Sequence, residues 1–149
     1  MEIQNDRVQT NSPKQLNKRI EEQLLSNIQY YSKQDRQAIS ERINELETEW
    51  YVDRVLMTNA SSISIISLLL GLKVDKRWFI LSGAVAAFLL QHGIQGWCPP
   101  LPLFRKLGIR SFKEIDRERF ALKLLRGDFK DLIDENHANH SAIYEAVSK

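Results

Sequence analysis

The sequence predicts an all-α membrane protein: a hairpin of two transmembrane helices with flanking amphipathic helices on the cytoplasmic side. Three observations predict it. The apolar residues gather in two uncharged runs, Val55–Leu72 and Trp78–Phe104. The charges lie outside those runs, at the two ends of the chain and in a short turn at Lys73, Asp75, Lys76 and Arg77. The three tryptophans, Trp50, Trp78 and Trp97, stand at the ends of the runs, where a ring half apolar and half wet suits the headgroup layer.

A membrane helix needs about 20 mostly apolar residues to cross about 30 Å of hydrocarbon. Residues 55–72 and 78–96 both approach that length, and the turn between them permits only an antiparallel hairpin. Pro99, Pro100 and Pro102 stop any helix continuing from the second span. The first span is the more polar, with Thr58, Asn59, Ser61, Ser62, Ser64 and Ser67, so it is expected to insert as the partner of the second. A soluble helical partner-binding bundle is the competing reading of the same pattern. Arg42, Arg54, Arg105, Lys106, Arg110 and Lys113 flank the open end, against Lys73, Lys76 and Arg77 in the turn. The positive-inside rule then places both termini in the cytoplasm.

The flanks divide as follows. Residues 1–17 are polar, resemble no cleavable signal peptide, and are expected to form a disordered tail. Residues 18–51 form an amphipathic helical region. Ile20, Leu24, Leu25, Ile28 and Tyr31 recur at near-helical spacing, and Ser32 with Asp35 offers a cap for the next helix. There Ile39, Ile43, Leu46 and Trp50 make a narrow stripe, suited to a protein partner or a membrane surface. Residues 52–111 hold the hairpin. Residues 112–129 follow the capping box Ser111-Phe112-Lys113-Glu114, with Ile115, Leu122 and Leu125 on one side. Gly127 is placed as a C-cap glycine, and Phe129 is placed to pack back on the last turn. Residues 130–149 read as a polar tail with one short helix from Ser141.

Four groups of residues stand out. Asn59 and Ser62 in span one, with Gln91, His92 and Gln95 in span two, fall at one depth and predict an interhelical hydrogen-bonded layer. A proton- or ligand-binding role for His92 is the sharper reading, but no Asp or Glu lies within the spans to pair with it. Ser82/Ala86 and Gly83/Ala87 are small residues four apart, a surface for hairpin contact or for a homodimer. Cys98 is the lone cysteine; Arg105 and Lys106 are the candidates to activate its thiol. His137 and His140 fall short of a metal site.

Several function classes are excluded. The 21 Lys and Arg nearly balance 19 Asp and Glu, and no basic block marks a nucleic-acid partner. One cysteine allows no internal disulfide framework. No phosphate loop, nucleophile elbow, HExxH or paired carboxylate is present, so neither an enzyme nor a cofactor is expected.

The segment Gly96-Trp97-Cys98-Pro99-Pro100-Leu101, then Leu103 and Leu107-Gly108, closes a two-helix hairpin. In this it resembles the YgaP-like transmembrane domain family over about residues 52–111, whose pattern ends in Gly-x-Cys-Pro-Leu and a later Leu-Gly. The stretch Glu118 to Phe129 is similar to an extension seen in part of that family. The resemblance implies an inner-membrane protein of poorly defined function. Some members carry a rhodanese domain with its own active cysteine. Cys98 corresponds to the membrane-edge cysteine, so sulfurtransferase activity is not implied here. Pro100, the polar first span and the helical flanks are departures from the pattern. The expected role is structural or one of protein interaction, in the lipid bilayer and with a homo-oligomer as partner. A thiol-based sulfur-carrier or redox accessory using Cys98 is the alternative.

Overall fold

The structure, a computed structural model, describes residues 6–129. All regular structure among them is helical: α1 (Arg7–Thr10), α2 (Lys14–Tyr31), α3 (Arg36–Thr48), α4 (Val52–Lys73), α5 (Trp78–Gln95), α6 (Leu101–Lys106) and α7 (Phe112–Arg126). The chain divides into two compact units. The first comprises the described residues up to Glu22 together with Trp50–Glu114, and the second comprises Gln23–Glu49 with the described residues from Ile115.

The first unit is the hairpin. α4 and α5 are long and apolar enough to cross a membrane, spanning about 33 and 27 Å at 1.5 Å per residue. The turn between them is held by its own polar groups: Val74 N donates to Leu70 O at 2.8 Å and Arg77 N to Asp75 Oδ1 at 2.8 Å. Gly96, at φ +73°, ends α5 in the left-handed region that a side chain disfavours. The prolines come after that stop, and Pro102 sits in the first turn of α6, where a missing N–H is harmless.

The seam between the spans is made of small residues on α4. Ser67 and Gly71 are buried, and Ala60 and Ser64 are half-buried on the same stripe. A Cβ added at Gly71 would lie 2.8 Å from the ring of Phe79, so a larger residue here would have to displace that ring. The Ser67 hydroxyl donates to Ile63 O at 2.6 Å, which satisfies it without leaving its own helix. The serines of span one therefore let the second helix close in.

The outer faces stay bare. Leu72 is 75% exposed and Ile80 74%, and Ile65, Ile66, Leu69, Leu90 and Ile94 are exposed as well. Water would not tolerate so continuous an apolar belt on a monomer, whereas hydrocarbon would. This belt weighs against the soluble-bundle reading.

The first seventeen residues were expected to be a disordered tail; residues 6–17 are instead ordered against the hairpin. Asp6 caps α1 by accepting from Val8 N at 3.0 Å. Val8 joins Val52, Leu56, Cys98 and Leu101 in one apolar core. Arg7 and Asn11 donate to Gly93 O at 3.3 Å and Gln95 O at 3.0 Å. These are carbonyls that the end of α5 leaves without helical partners. A polar segment is thus ordered by what it donates together with the one apolar side chain, Val8, that it buries.

The second unit centres on Glu118, which is fully buried. Its Oε1 accepts from Asn27 Nδ2 at 3.2 Å and from Arg42 Nε and Nη2 at 3.1 Å each, drawing α2, α3 and α7 together. Ile39, Ile43 and Leu46 are buried within the protein, while Trp50 belongs to the first unit. The stripe is therefore no free surface for a partner, because three of its four residues are consumed in the chain's own packing. Asp35 alone caps α3, accepting from Ala38 N at 2.9 Å; Ser32 bonds back to Gln29 O instead. At the far end of α7, Gly127 adopts φ +90° and Phe129 stacks on Phe120 with ring centroids 6.3 Å apart. The buried side of α7 runs through Ile115, Glu118 and Leu122; Leu125 is exposed. Residues 130–149, with the expected tail helix and with His137 and His140, lie outside the described residues.

Candidate functional site

Polar chemistry concentrates at the open end of the hairpin. The Ser111–Glu114 box closes as its spacing predicts: Ser111 N donates to Glu114 Oε2 at 2.8 Å, and Glu114 N to Ser111 Oγ at 3.2 Å. The same Glu114 carboxylate takes two N–H groups of Arg105, at 2.6 and 2.8 Å. Arg105 is 1% exposed and donates also to Asn17 Oδ1 at 2.8 Å. Ser111 Oγ in turn donates to Asp6 Oδ2. One buried network thus fastens α2, α6 and the start of α7 to the N-terminal segment.

A second pairing joins the two spans. His92, near the end of α5, faces Asp53, in the first turn of α4, with Nε2 2.9 Å from Oδ1. His92 is 8% exposed, and its Nδ1 has no hydrogen-bond partner. The uncharged run starts at Val55, two residues after Asp53, so the run itself offers no acid for the histidine. The helix begins three residues earlier, because Val52 N donates to Arg110 O at 2.9 Å and Asp53 favours the positive end of the helix dipole.

Both residues line a cleft of about 540 Å³, together with Asp6, Arg7, Tyr51 and Lys113. A second, apolar cavity of about 260 Å³ lies between the spans and α6, walled by residues such as Leu56, Ile63, Phe88, Leu103 and Phe104.

The expected interhelical layer does not form. Asn59 Nδ2 donates to Val55 O and the Ser62 hydroxyl to Thr58 O, each at 2.8 Å and within α4. Gln91 faces Gln95 within α5. Short polar side chains on a helix reach their own preceding carbonyl before they reach a neighbour. Only His92 crosses, and its partner is Asp53. Among the small residues of α5, Ser82 is half-buried, whereas Gly83, Ala86 and Ala87 are exposed, and nothing lies within 4 Å of a Cβ added at Gly83.

Cys98 is 1% exposed within the apolar core, and burial pushes its thiol pKa up; Asp53 pushes in the same direction, against a lowering backbone bond at Leu101. A reactive thiol needs the opposite. Arg105, expected to activate it, has its guanidinium committed to Glu114. Among the described residues no three His, Cys, Asp or Glu come together as metal ligands.

No curated protein and no solved structure matches the chain. The family described as inner membrane protein YgaP-like, transmembrane domain, matches residues 51–113. That range holds both spans, the Gly96–Leu101 segment and the capping box as far as Lys113, and leaves out the second unit. Over its hairpin, residues 51–113, the chain is therefore similar to the transmembrane domain of that family of inner membrane proteins.

Proposed function

We propose that the chain is a non-enzymatic inner-membrane protein with a structural or protein-interaction role, self-associating through span two, with both termini in the cytoplasm. The observation that carries this reading is the bare apolar belt on α4 and α5, left over after the hairpin has packed all it can. The exposed Gly83 and Ala87, one turn apart with open space above Gly83, support a second copy as the neighbour in the bilayer. The excess of Lys and Arg around the open end over the 73–77 turn supports the orientation. The buried Arg105, Glu114, Ser111 and Asp6 at the open end bind one another rather than frame a reaction, which supports a scaffold over a catalyst. No observation favours the thiol-carrier alternative, since Cys98 is buried with its pKa raised.

Self-association tests the reading in lipid. Wild-type chain labelled with donor and acceptor dyes at the 73–77 turn should show energy transfer that falls with dilution into excess lipid. Gly83→Leu should weaken the dimer by about tenfold, the loss of one close backbone contact. A dimer unchanged in Gly83→Leu, or a monomer at every dilution, would count against this face.

A further inference from the structure

The cleft at the open end holds unlike charges that do not neutralise each other. Asp53 gives Oδ1 to His92, and its side chain remains 40% exposed. Arg7 gives one guanidinium N–H to Gly93 O and is otherwise exposed. Both residues line the cleft, yet among the described residues no ion pair joins them. Asp6, the other carboxylate there, is fully committed to Val8 N, Gln9 N and Ser111 Oγ. That leaves one carboxylate oxygen and one guanidinium fork available across a single cleft, whose lining also includes the Lys113 cation. The buried Nδ1 of His92 is a further polar atom without a partner. In the tautomer that donates Nε2–H to Asp53, Nδ1 is an acceptor.

The position of the cleft narrows the ligand. Asp53 lies in the first turn of α4, and His92, Gly93 and Gly96 end α5, so the cleft opens where both spans leave the hydrocarbon. Met57 and Phe112 add apolar wall. A ligand here meets an apolar side, a carboxylate and a guanidinium together.

We propose that this cleft seats the headgroup of a bilayer phospholipid carrying both a phosphate and a primary ammonium, of the phosphoethanolamine type. The proposal rests on the reading of the hairpin as membrane-inserted. The ammonium donates to the second oxygen of Asp53, and the phosphate accepts from Arg7, whose planar fork suits it. A primary ammonium has three N–H donors, and a quaternary one has none to give Asp53. A headgroup with phosphate but no ammonium leaves the carboxylate facing like charge.

The full chain, purified in mild detergent, is titrated with phosphatidylethanolamine, phosphatidylcholine or phosphatidylglycerol of identical acyl chains, and the adducts are read by native mass spectrometry. Phosphatidylethanolamine should be retained about tenfold over the other two, the discrimination expected of one charge-assisted hydrogen bond. Asp53→Asn and Arg7→Gln should each abolish the preference. Arg7→Gln leaves the Asp53–His92 pairing in place, so its result does not depend on that contact. Free phosphoethanolamine at the same concentration should displace none of the lipid; displacement would make the ligand a soluble one and overturn the proposal. Equal retention of the three lipids, a preference for phosphatidylglycerol, or a preference that survives both variants would overturn it too. Carbonate washing of the source membranes separates the two failures. Release of the chain would remove the insertion reading, whereas a retained chain without headgroup preference would remove only this site.

Discussion

Asp53 and His92, on different spans, meet with Oδ1 2.9 Å from Nε2, and this contact ties the start of the hairpin to its end. The histidine is buried and its other nitrogen already lacks a partner. Asp53→Ala would leave both ring nitrogens unmatched. It should destabilise the hairpin by about 1–3 kcal/mol, the penalty for a buried polar group stripped of its partner. Thermal unfolding in detergent checks it; an unchanged midpoint would mean that the contact contributes nothing.

The Arg105–Glu114 pair is a stronger test of the open end. Arg105→Ala leaves a buried carboxylate without its cation and should cost about 3–5 kcal/mol. Arg105→Met combined with Glu114→Gln should lose clearly less, since the charge goes with its partner and Gln still accepts from Ser111 N. A double-mutant cycle in unfolding free energy reads the difference. Additive losses would show that the two side chains act independently.

Gly96 controls the docking of the N-terminal segment. A Cβ there would lie 2.5 Å from Cβ of Arg7, and φ +73° adds about 1–2 kcal/mol of backbone strain for a side chain. Gly96→Ala should release residues 6–12 while leaving the spans paired. Limited proteolysis should then cut after Arg7 in the variant faster than in the wild type, where the segment stays docked. Equal protection in both would show that the segment is held by other contacts.

Much of this arrangement is legible in the sequence, and the exceptions share a cause. Uncharged length and the flanking tryptophans reveal the two spans. The Ser111–Glu114 box and Gly127 are read correctly because capping depends on residue type at fixed spacing. The order of residues 6–17 is not legible, because it comes from donors meeting orphan carbonyls of a helix some eighty residues away. The Asp53–His92 pairing is missed for a related reason. A hydropathy run begins after the last charge, but the helix begins before it. The polar layer fails because Asn59 and Ser62 satisfy themselves within one turn, a local competition that spacing alone does not reveal. The small-residue seam is expected on span two but lies on span one, where serines looked merely polar.

Burial governs the chemistry of Cys98. Its thiol pKa is raised, so the thiolate forms only as pH climbs beyond the ordinary cysteine range. Iodoacetamide at pH 8 should therefore modify the folded chain far more slowly than the same chain in denaturant. Labelling as fast as that of a free cysteine would restore the case for a reactive thiol.

The proposed topology is a two-span hairpin with both ends on the cytoplasmic side. The most direct measurement is a paired topology assay on the full chain. A fluorescent protein that matures only in the cytoplasm is fused after Lys149, and in a second fusion alkaline phosphatase, active only outside, is placed in the 73–77 turn. The account predicts fluorescence from the first and phosphatase activity from the second. A dark terminal fusion together with an inactive turn fusion would contradict it.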